Sequence, residues 1–269
     1  MPAGNLLSAD QVTQFDEGGY CVVGGLFTPD EIVAIEVFFE DYKKIGTAVF
    51  DNGSKFEEID PAQRQLRAMH PHRYSEQAKG WGLNRRVFAG LTQLLRQPPL
   101  LAQTMYYFKP PGAKGQGMHQ DNFYLLAEPA TCIAAWTAID RADLDNGCLY
   151  VVPGSHRENI LCPAEGASAW MSYGDSHIKP FPRDATPVPL IVERGETVFF
   201  SGNLIHGSGP NRTATRSRRT FVGHYIDETS EQVARFYHPV LNADGVTVSD
   251  LTVPVGGGPC GDGWLGAMH

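Results

Sequence analysis

From residue 100 onward the chain is broken at short intervals by turn residues, and this punctuation constrains the fold more than any other feature. Residues 101–109 are aromatic and alternating, then halted by Pro110-Pro111-Gly112. Residues 132–139, 148–152, 187–192, 197–200 and 218–226 follow as further strand candidates. Asp145-Asn146-Gly147, Pro153-Gly154 and Arg194-Gly195-Glu196 separate them as turns. The 29 glycines and 19 prolines fit many short strands better than long helices. Such a pattern predicts a mostly β architecture, a double-sheet jelly roll or barrel.

The first hundred residues read differently. Ser8-x-x-Gln11 and Thr28-Pro29-Asp30-Glu31 both fit the capping box, with Pro29 at a first helical position. Ile32, Ile35, Phe38, Phe39 and Tyr42 then recur at helical spacing. Tyr20-Cys21-Val22-Val23 interrupts the helices as a short strand ended by Gly24-Gly25. A third helix is predicted after Asn84, with Val87, Leu91, Leu94 and Leu95 on one face, stopping at Pro98-Pro99. No repeat or low-complexity linker divides the chain. The expectation is one domain over residues 1–269, with a helical buttress over about 1–99 and a β core over about 100–240.

Composition narrows the classes of partner. A net charge of −8 argues against nucleic acid or an anionic membrane. No apolar stretch is long enough to span a bilayer, and the N-terminus lacks the pattern of a signal peptide. Cys21, Cys132, Cys148, Cys162 and Cys260 are odd in number and never in a C-x-x-C pair. Five reduced thiols in a cytoplasmic protein are therefore expected, with Cys260 in its glycine-rich segment a candidate exposed thiol.

The chemistry is concentrated in Gly117-Met118-His119-Gln120-Asp121-Asn122. On a strand His119 and Asp121 would share one face and point together into a barrel. His206, in Ser201-Gly202-Asn203-Leu204-Ile205-His206-Gly207-Ser208-Gly209, is a candidate third ligand. Two imidazoles and a carboxylate on one face of iron(II) leave positions for a chelating 2-oxoacid and for O₂. An H-x-D pair is weak evidence alone, since a chain with nine histidines can contain one by chance. The strand containing Arg218 adds weight, because the distal carboxylate of a bound 2-oxoacid needs a rigid, permanently charged, bidentate partner. Alternation places Arg218, Thr220 and Val222 on one face, with Arg219, Phe221 and Tyr225 on the other.

Several separate blocks, in order, resemble the phytanoyl-CoA dioxygenase family: Phe108-Lys109-Pro110-Pro111-Gly112, His119-Gln120-Asp121-Asn122, Ala135-Trp136-Thr137-Ala138, Asn146-Gly147-Cys148-Leu149, Pro153-Gly154-Ser155-His156 and His206-Gly207-Ser208-Gly209-Pro210-Asn211. The resemblance runs over residues 100–226. It implies a double-stranded β-helix of jelly-roll, cupin-like form, an iron(II) site, and 2-oxoglutarate and O₂ as co-substrates. Carried over by position, His119, Asp121 and His206 resemble the metal ligands. Arg216, Arg218 and Arg219 all compete for the 2-oxoglutarate clamp, and counting back from His224-Tyr225 favours Arg218. Ser208 and Trp136 match co-substrate contacts, and Met105 is placed beside them.

The implied activity is hydroxylation of a C–H bond with release of succinate and CO₂. Gln103 and Tyr107, on the face shared with Met105, and His72 and Arg73, in Met69-His70-Pro71-His72-Arg73, are the candidate substrate contacts. Lys109 continues that face and could meet an acidic group, although a lysine at a strand end is usually solvated. A small metabolite is the expected partner, because no basic cluster offers itself to the phosphates of CoA. An acyl-CoA hydroxylase of the same chemistry and a non-catalytic metal-binding β-helix protein are the alternatives. Halogenation is disfavoured by Asp121, since that chemistry needs a small residue in its place.

Overall fold

A computed structural model describes residues 6–44, 67–162, 164–165, 176–178, 181–254 and 261. The helical part begins as the capping signals predict. Ser8 caps α1 (Ala9–Gly18), accepting from the Gln11 amide while the Gln11 side chain accepts from Ser8 N. Thr28 and Glu31 make the same reciprocal pair at the start of α2 (Pro29–Lys44). Between them lies β1 (Tyr20–Val23). Asn84 caps α4 (Arg85–Leu95), which ends at Arg96 in a left-handed conformation, short of Pro98. Two elements were not anticipated: β2 (Arg67–Met69) and the short α3 (Glu76–Gly82). The side chain of Tyr42 and the segment around Cys260 lie outside the described residues.

The β core is two facing antiparallel sheets. The larger runs β1-β10-β5-β12-β3-β2, with β3 (Pro99–Tyr107), β5 (Ile133–Ala138), β10 (Thr197–Ser201) and β12 (Thr220–Asp227). The smaller runs β4-β11-β6-β9, built from β4 (Gln116–His119), β6 (Leu149–Val151), β9 (Val188–Leu190) and β11 (His206–Ser208). A separate pair, β7 (Ala164–Glu165) and β8 (Ser176–His177), stands apart. This mostly β, two-sheet arrangement is the jelly roll predicted from the pattern of short strands, in the cupin-like form that the family resemblance implies.

Alternation along β12 organises both cores. Phe221 and Tyr225 face outward and join Ile35, Phe39 and Leu91 of the helices. Phe39 stacks on Tyr106 of β3 with ring centres 4.0 Å apart. Burying a side chain of this size stabilises by about 1.5–3 kcal/mol, so α2 is anchored by packing more than by helix propensity. Val222 faces inward and packs with Met105, Trp136, Leu149, Val198 and Phe200 between the two sheets. A third cluster, with Leu125, Cys132, Val233, Tyr237 and Val240, closes one end under the C-terminal segment.

Two expectations need correction. Asp121 is not on a strand: β4 ends at His119, and Asp121 adopts helical φ −64° and ψ −37° ahead of the short α5 (Asn122–Leu125). The turn, and not strand alternation, brings its carboxylate back towards His119. Cys162 is disulfide-bonded, against the expectation of five reduced thiols. Cys21, Cys132 and Cys148 are free and buried.

Candidate active site

His119 ends β4, His206 begins β11, and the two are direct cross-strand partners. Their approach depends on Gly207, where an added Cβ would come within 2.7 Å of the Gln116 carbonyl oxygen. His119 Nδ1 lies 2.7 Å from Gly117 O, and His206 Nδ1 lies 2.9 Å from Leu204 O. A carbonyl only accepts, so both Nδ1 atoms carry a proton, which leaves each Nε2 as the nitrogen that could bind a metal. Asp121 Oδ1 lies 3.5 Å from His119 Nε2 and 3.6 Å from His206 Nε2. The other carboxylate oxygen, Oδ2, lies 3.2 Å from Nε2 of His224 on β12.

The residues between the ligands brace the turn. Gln120 donates to Asn203 O and accepts from the Leu161 amide, while Asn122 donates to Ala130 O and Asn203 Oδ1. Burial opposes the charge on Asp121. The surrounding imidazoles of His206, His224 and His119 outweigh it, holding the carboxyl well below its usual range. Burial pushes His206 down to about 4, against the pull of Asp121, so its imidazole is neutral near pH 7. The donor set is two imidazole nitrogens and one carboxylate oxygen, all within 4.8 Å of one another. Nitrogen and oxygen donors without a thiolate fit iron(II).

A chamber adjoins these three residues. Met105, Tyr107, Trp136, Val222 and His224 supply one wall, and Gln116 and Leu149 the other. Beyond Trp136 lies an unusual concentration of positive charge. Arg218, just before β12, is 3 % exposed, with its guanidinium 5.4 Å from the centre of the Trp136 ring. It donates Nε to Gly147 O and a terminal nitrogen to Thr220 Oγ1. Lys109 is equally buried and donates Nζ to Ser208 Oγ at 2.9 Å. Among the described residues no carboxylate pairs with either cation. Burial lowers Arg218 to about 10, and burial together with the Arg218 charge drives Lys109 well below the ordinary lysine range. Gly147 makes room for both: its φ is +86°, and an added Cβ would meet Lys109 Cε at 2.8 Å and Gly209 O at 2.4 Å.

The structure thus gathers His119, Asp121, His206, Met105, Tyr107 and Trp136 around one chamber and sets Arg218 and Ser208 beside it. Three sequence candidates lie elsewhere. Gln103 is buried with Nε2 3.3 Å from His70 Nε2, and His72 Nδ1 is 2.8 Å from Thr104 Oγ1. Arg73 donates to Phe236 O. Burial lowers His70 to about 2 and His72 to about 3, so both are neutral buried rings and not charged rim groups. Gln103 Oε1, His70 Nδ1 and His72 Nε2 have no partner among the described residues.

Sequence reasoning missed Gln116, whose amide lies 3.3 Å from His119 Nε2, and it left Lys109 open between meeting an acidic group and being solvated. Alternation along 218–226, which puts His224 on the face of Arg218, Thr220 and Val222, was the available signal for His224.

A family model described as phytanoyl-CoA dioxygenase matches residues 15–220. The chain belongs to the phytanoyl-CoA dioxygenase family. Membership makes it an oxygenase of the class that uses iron(II), 2-oxoglutarate and O₂. Peroxisomal phytanoyl-CoA dioxygenase of Rattus norvegicus is 32% identical over 244 residues, covering 82% of this chain and 69% of the relative. Phytanoyl-CoA dioxygenase 1 of Oryza sativa subsp. japonica is 28% identical over 260 residues, covering 84% and 92%.

Among solved structures, the 2-oxoglutarate-dependent carbocyclase SnoK from nogalamycin biosynthesis superposes with a TM-score of 0.66 at 18% identity, covering 87% of this chain and 89% of that one. EctD from S. alaskensis, with 2-oxoglutarate and 5-hydroxyectoine, gives 0.66 at 19% identity, covering 86% and 80%. At such identities these structures establish the fold alone. Among the described residues no helix is long and apolar enough to cross a membrane.

Proposed function

We propose that this family member hydroxylates a C–H bond of a small-molecule metabolite within a single oxygenase domain spanning residues 1–269. His119, Asp121 and His206 would hold iron(II) through two Nε2 atoms and one carboxylate oxygen. When bound, the metal with 2-oxoglutarate and O₂ supplies the oxidant, and 2-oxoglutarate leaves as succinate and CO₂. The observation that carries this reading is the buried Arg218 without a carboxylate partner, set one aromatic ring away from a buried two-histidine, one-aspartate cluster.

A buried guanidinium is costly unless an anion meets it. The distal carboxylate of 2-oxoglutarate is such an anion, with Ser208 and Lys109 as further donors. Trp136 and Met105, which line the chamber, would supply the apolar wall for the co-substrate's methylenes. Retention of Arg218 argues against a non-catalytic metal-binding protein, which would have no use for it.

The basic run 212–219 bears on substrate class. Arg216 is paired with Asp143 and Asp145, and Arg219 with Asp140, Glu36 and Glu40. Little of that charge is left for the phosphates of CoA, which favours a small metabolite over an acyl-CoA. Tyr107 lines the chamber and is the first candidate for a substrate contact, ahead of Gln103, His72 and Arg73, which do not line it. The test is succinate release from 2-oxoglutarate across acyl-CoAs, free acids, amines and natural-product fragments. Stimulation by a free metabolite, lost in Tyr107→Ala, supports the assignment. Strong turnover with an acyl-CoA that is abolished in Arg216→Ala would sink it.

A further inference from the structure

We propose that His224 is a positioning residue that keeps Asp121 a one-oxygen ligand, so that the positions needed by the co-substrate and O₂ stay open. This rests on the metal reading of His119, Asp121 and His206. Three facial ligands leave three positions on a six-coordinate ion, two for the oxoacid chelate and one for O₂. A carboxylate that bound through both oxygens would take one of them. Nothing in the H-x-D pair itself prevents this, because a short aspartate at a turn can rotate either oxygen inward.

The geometry supplies the restraint. Asp121 Oδ1 faces the two ligand Nε2 atoms at 3.5 and 3.6 Å, whereas Oδ2 lies 3.2 Å from His224 Nε2. The side chains of His224 and Asp121 are only 2 % and 3 % exposed, so bulk water does not compete for Oδ2. An ionised carboxylate only accepts, so His224 Nε2 must be the donor, and a charge-assisted hydrogen bond in a buried setting is among the stronger kinds. His224 itself is held firmly. Its backbone pairs with Gln103 of β3 on one side and Ala134 of β5 on the other, in the middle of the six-stranded sheet. Asp121 is held from the opposite side, where the Asn122 amide donates to Gly202 O. The carboxylate is therefore fixed between a rigid strand and a rigid turn, with one oxygen assigned to each neighbour.

The test uses the full chain loaded with cobalt(II) under anaerobic conditions, in the wild type, His224→Phe and His224→Gln. In His224→Phe the metal should still bind stoichiometrically, because the three ligands remain. The 2-oxoglutarate Kd on that cobalt protein should rise about tenfold or more, in the range expected when a ligand's outer hydrogen-bond partner is removed. His224→Gln, which keeps an N–H donor, should return the Kd close to the wild-type value. Wild-type 2-oxoglutarate affinity in metal-loaded His224→Phe would overturn the proposal, as would failure of the glutamine variant to rescue.

Zinc-loaded wild type gives a second reading that does not depend on any variant folding. Its imidazole nitrogen resonances should show His224 protonated at Nε2 and shielded from exchange, and an unprotonated Nε2 would overturn the assignment. If cobalt is absent from the wild type, or is retained equally by Asp121→Ala, the metal reading itself fails, which the two His224 variants would not produce.

Discussion

Arg218 and Arg219 are neighbours in sequence and opposites in circumstance. Arg219 points outward from the sheet into a ring of carboxylates: Asp140 at 2.7 Å, Glu36 at 2.9 Å and Glu40 at 3.1 Å. Hydrogen bonding to Asp140 raises its pKa further above the usual arginine value, and the cluster ties α2 to the strand. Arg218 points inward, meets no carboxylate among the described residues, and is lowered to about 10 by burial. One cation completes the fold. The other is kept for a ligand, because a buried charge without a counter-ion costs several kcal/mol and repays that cost only when its anion arrives. The contrast separates what holds this protein together from what it does.

The largest expected effect breaks the site without touching that contrast. Asp121→Ala should remove hydroxylase turnover altogether while circular dichroism and Tm report a folded protein; unchanged turnover with added iron(II) would take Asp121 out of the triad. Next comes the arginine pair itself. Arg218→Ala should raise the 2-oxoglutarate Kd by a factor of hundreds, since losing a buried charge partner costs about 3–5 kcal/mol. Its Tm should hold or increase, because an uncompensated buried charge is gone. Arg219→Ala should do the reverse, lowering stability by about 1–3 kcal/mol with 2-oxoglutarate affinity little changed. A swap of these two phenotypes would mean that the roles of the two arginines have been inverted.

Lys109 sharpens the comparison at smaller scale. Lys109→Met should weaken 2-oxoglutarate binding about tenfold, the usual worth of a hydrogen bond to a charged group. Its pKa is depressed in the free site, first by burial and then by Arg218. A carboxylate bound beside it favours the protonated ammonium, so binding above the free-site pKa takes up a proton. The 2-oxoglutarate Kd should therefore rise with pH in the wild type and lose that slope in Lys109→Met. An identical slope in both proteins would exclude Lys109 from the anion pocket. Smallest is Ser8→Ala, which removes the α1 cap and should cost about 1 kcal/mol in denaturant melts with no change in co-substrate affinity.

Much of this contrast was legible in the sequence, because alternation along 218–226 already put the two arginines on opposite faces. The capping boxes at Ser8 and Thr28 located helix starts for the same reason: their chemistry is local. What escaped was non-local. His206 is legible as a third ligand, but its pairing with His119 through strand register was not readable, because β11 is only three residues long. Asp121 points into the site because of a helical turn, which strand alternation cannot foresee. Lys109 resembled a solvated strand end because its hydrogen-bond partner, Ser208, is 99 positions away. The seven-residue α3, with two glycines, carries little helical signal of its own.

The central claim is that one buried cluster holds iron and the neighbouring cations hold 2-oxoglutarate on it. The most direct measurement is visible absorbance during anaerobic titration of 2-oxoglutarate into iron(II)-loaded protein. The wild type should develop a weak charge-transfer band that saturates stoichiometrically with iron. Asp121→Ala should give no band, and Arg218→Ala should need far more co-substrate to reach it. A wild-type protein that binds iron(II) yet shows no band, or a band undiminished in Asp121→Ala, would contradict the account.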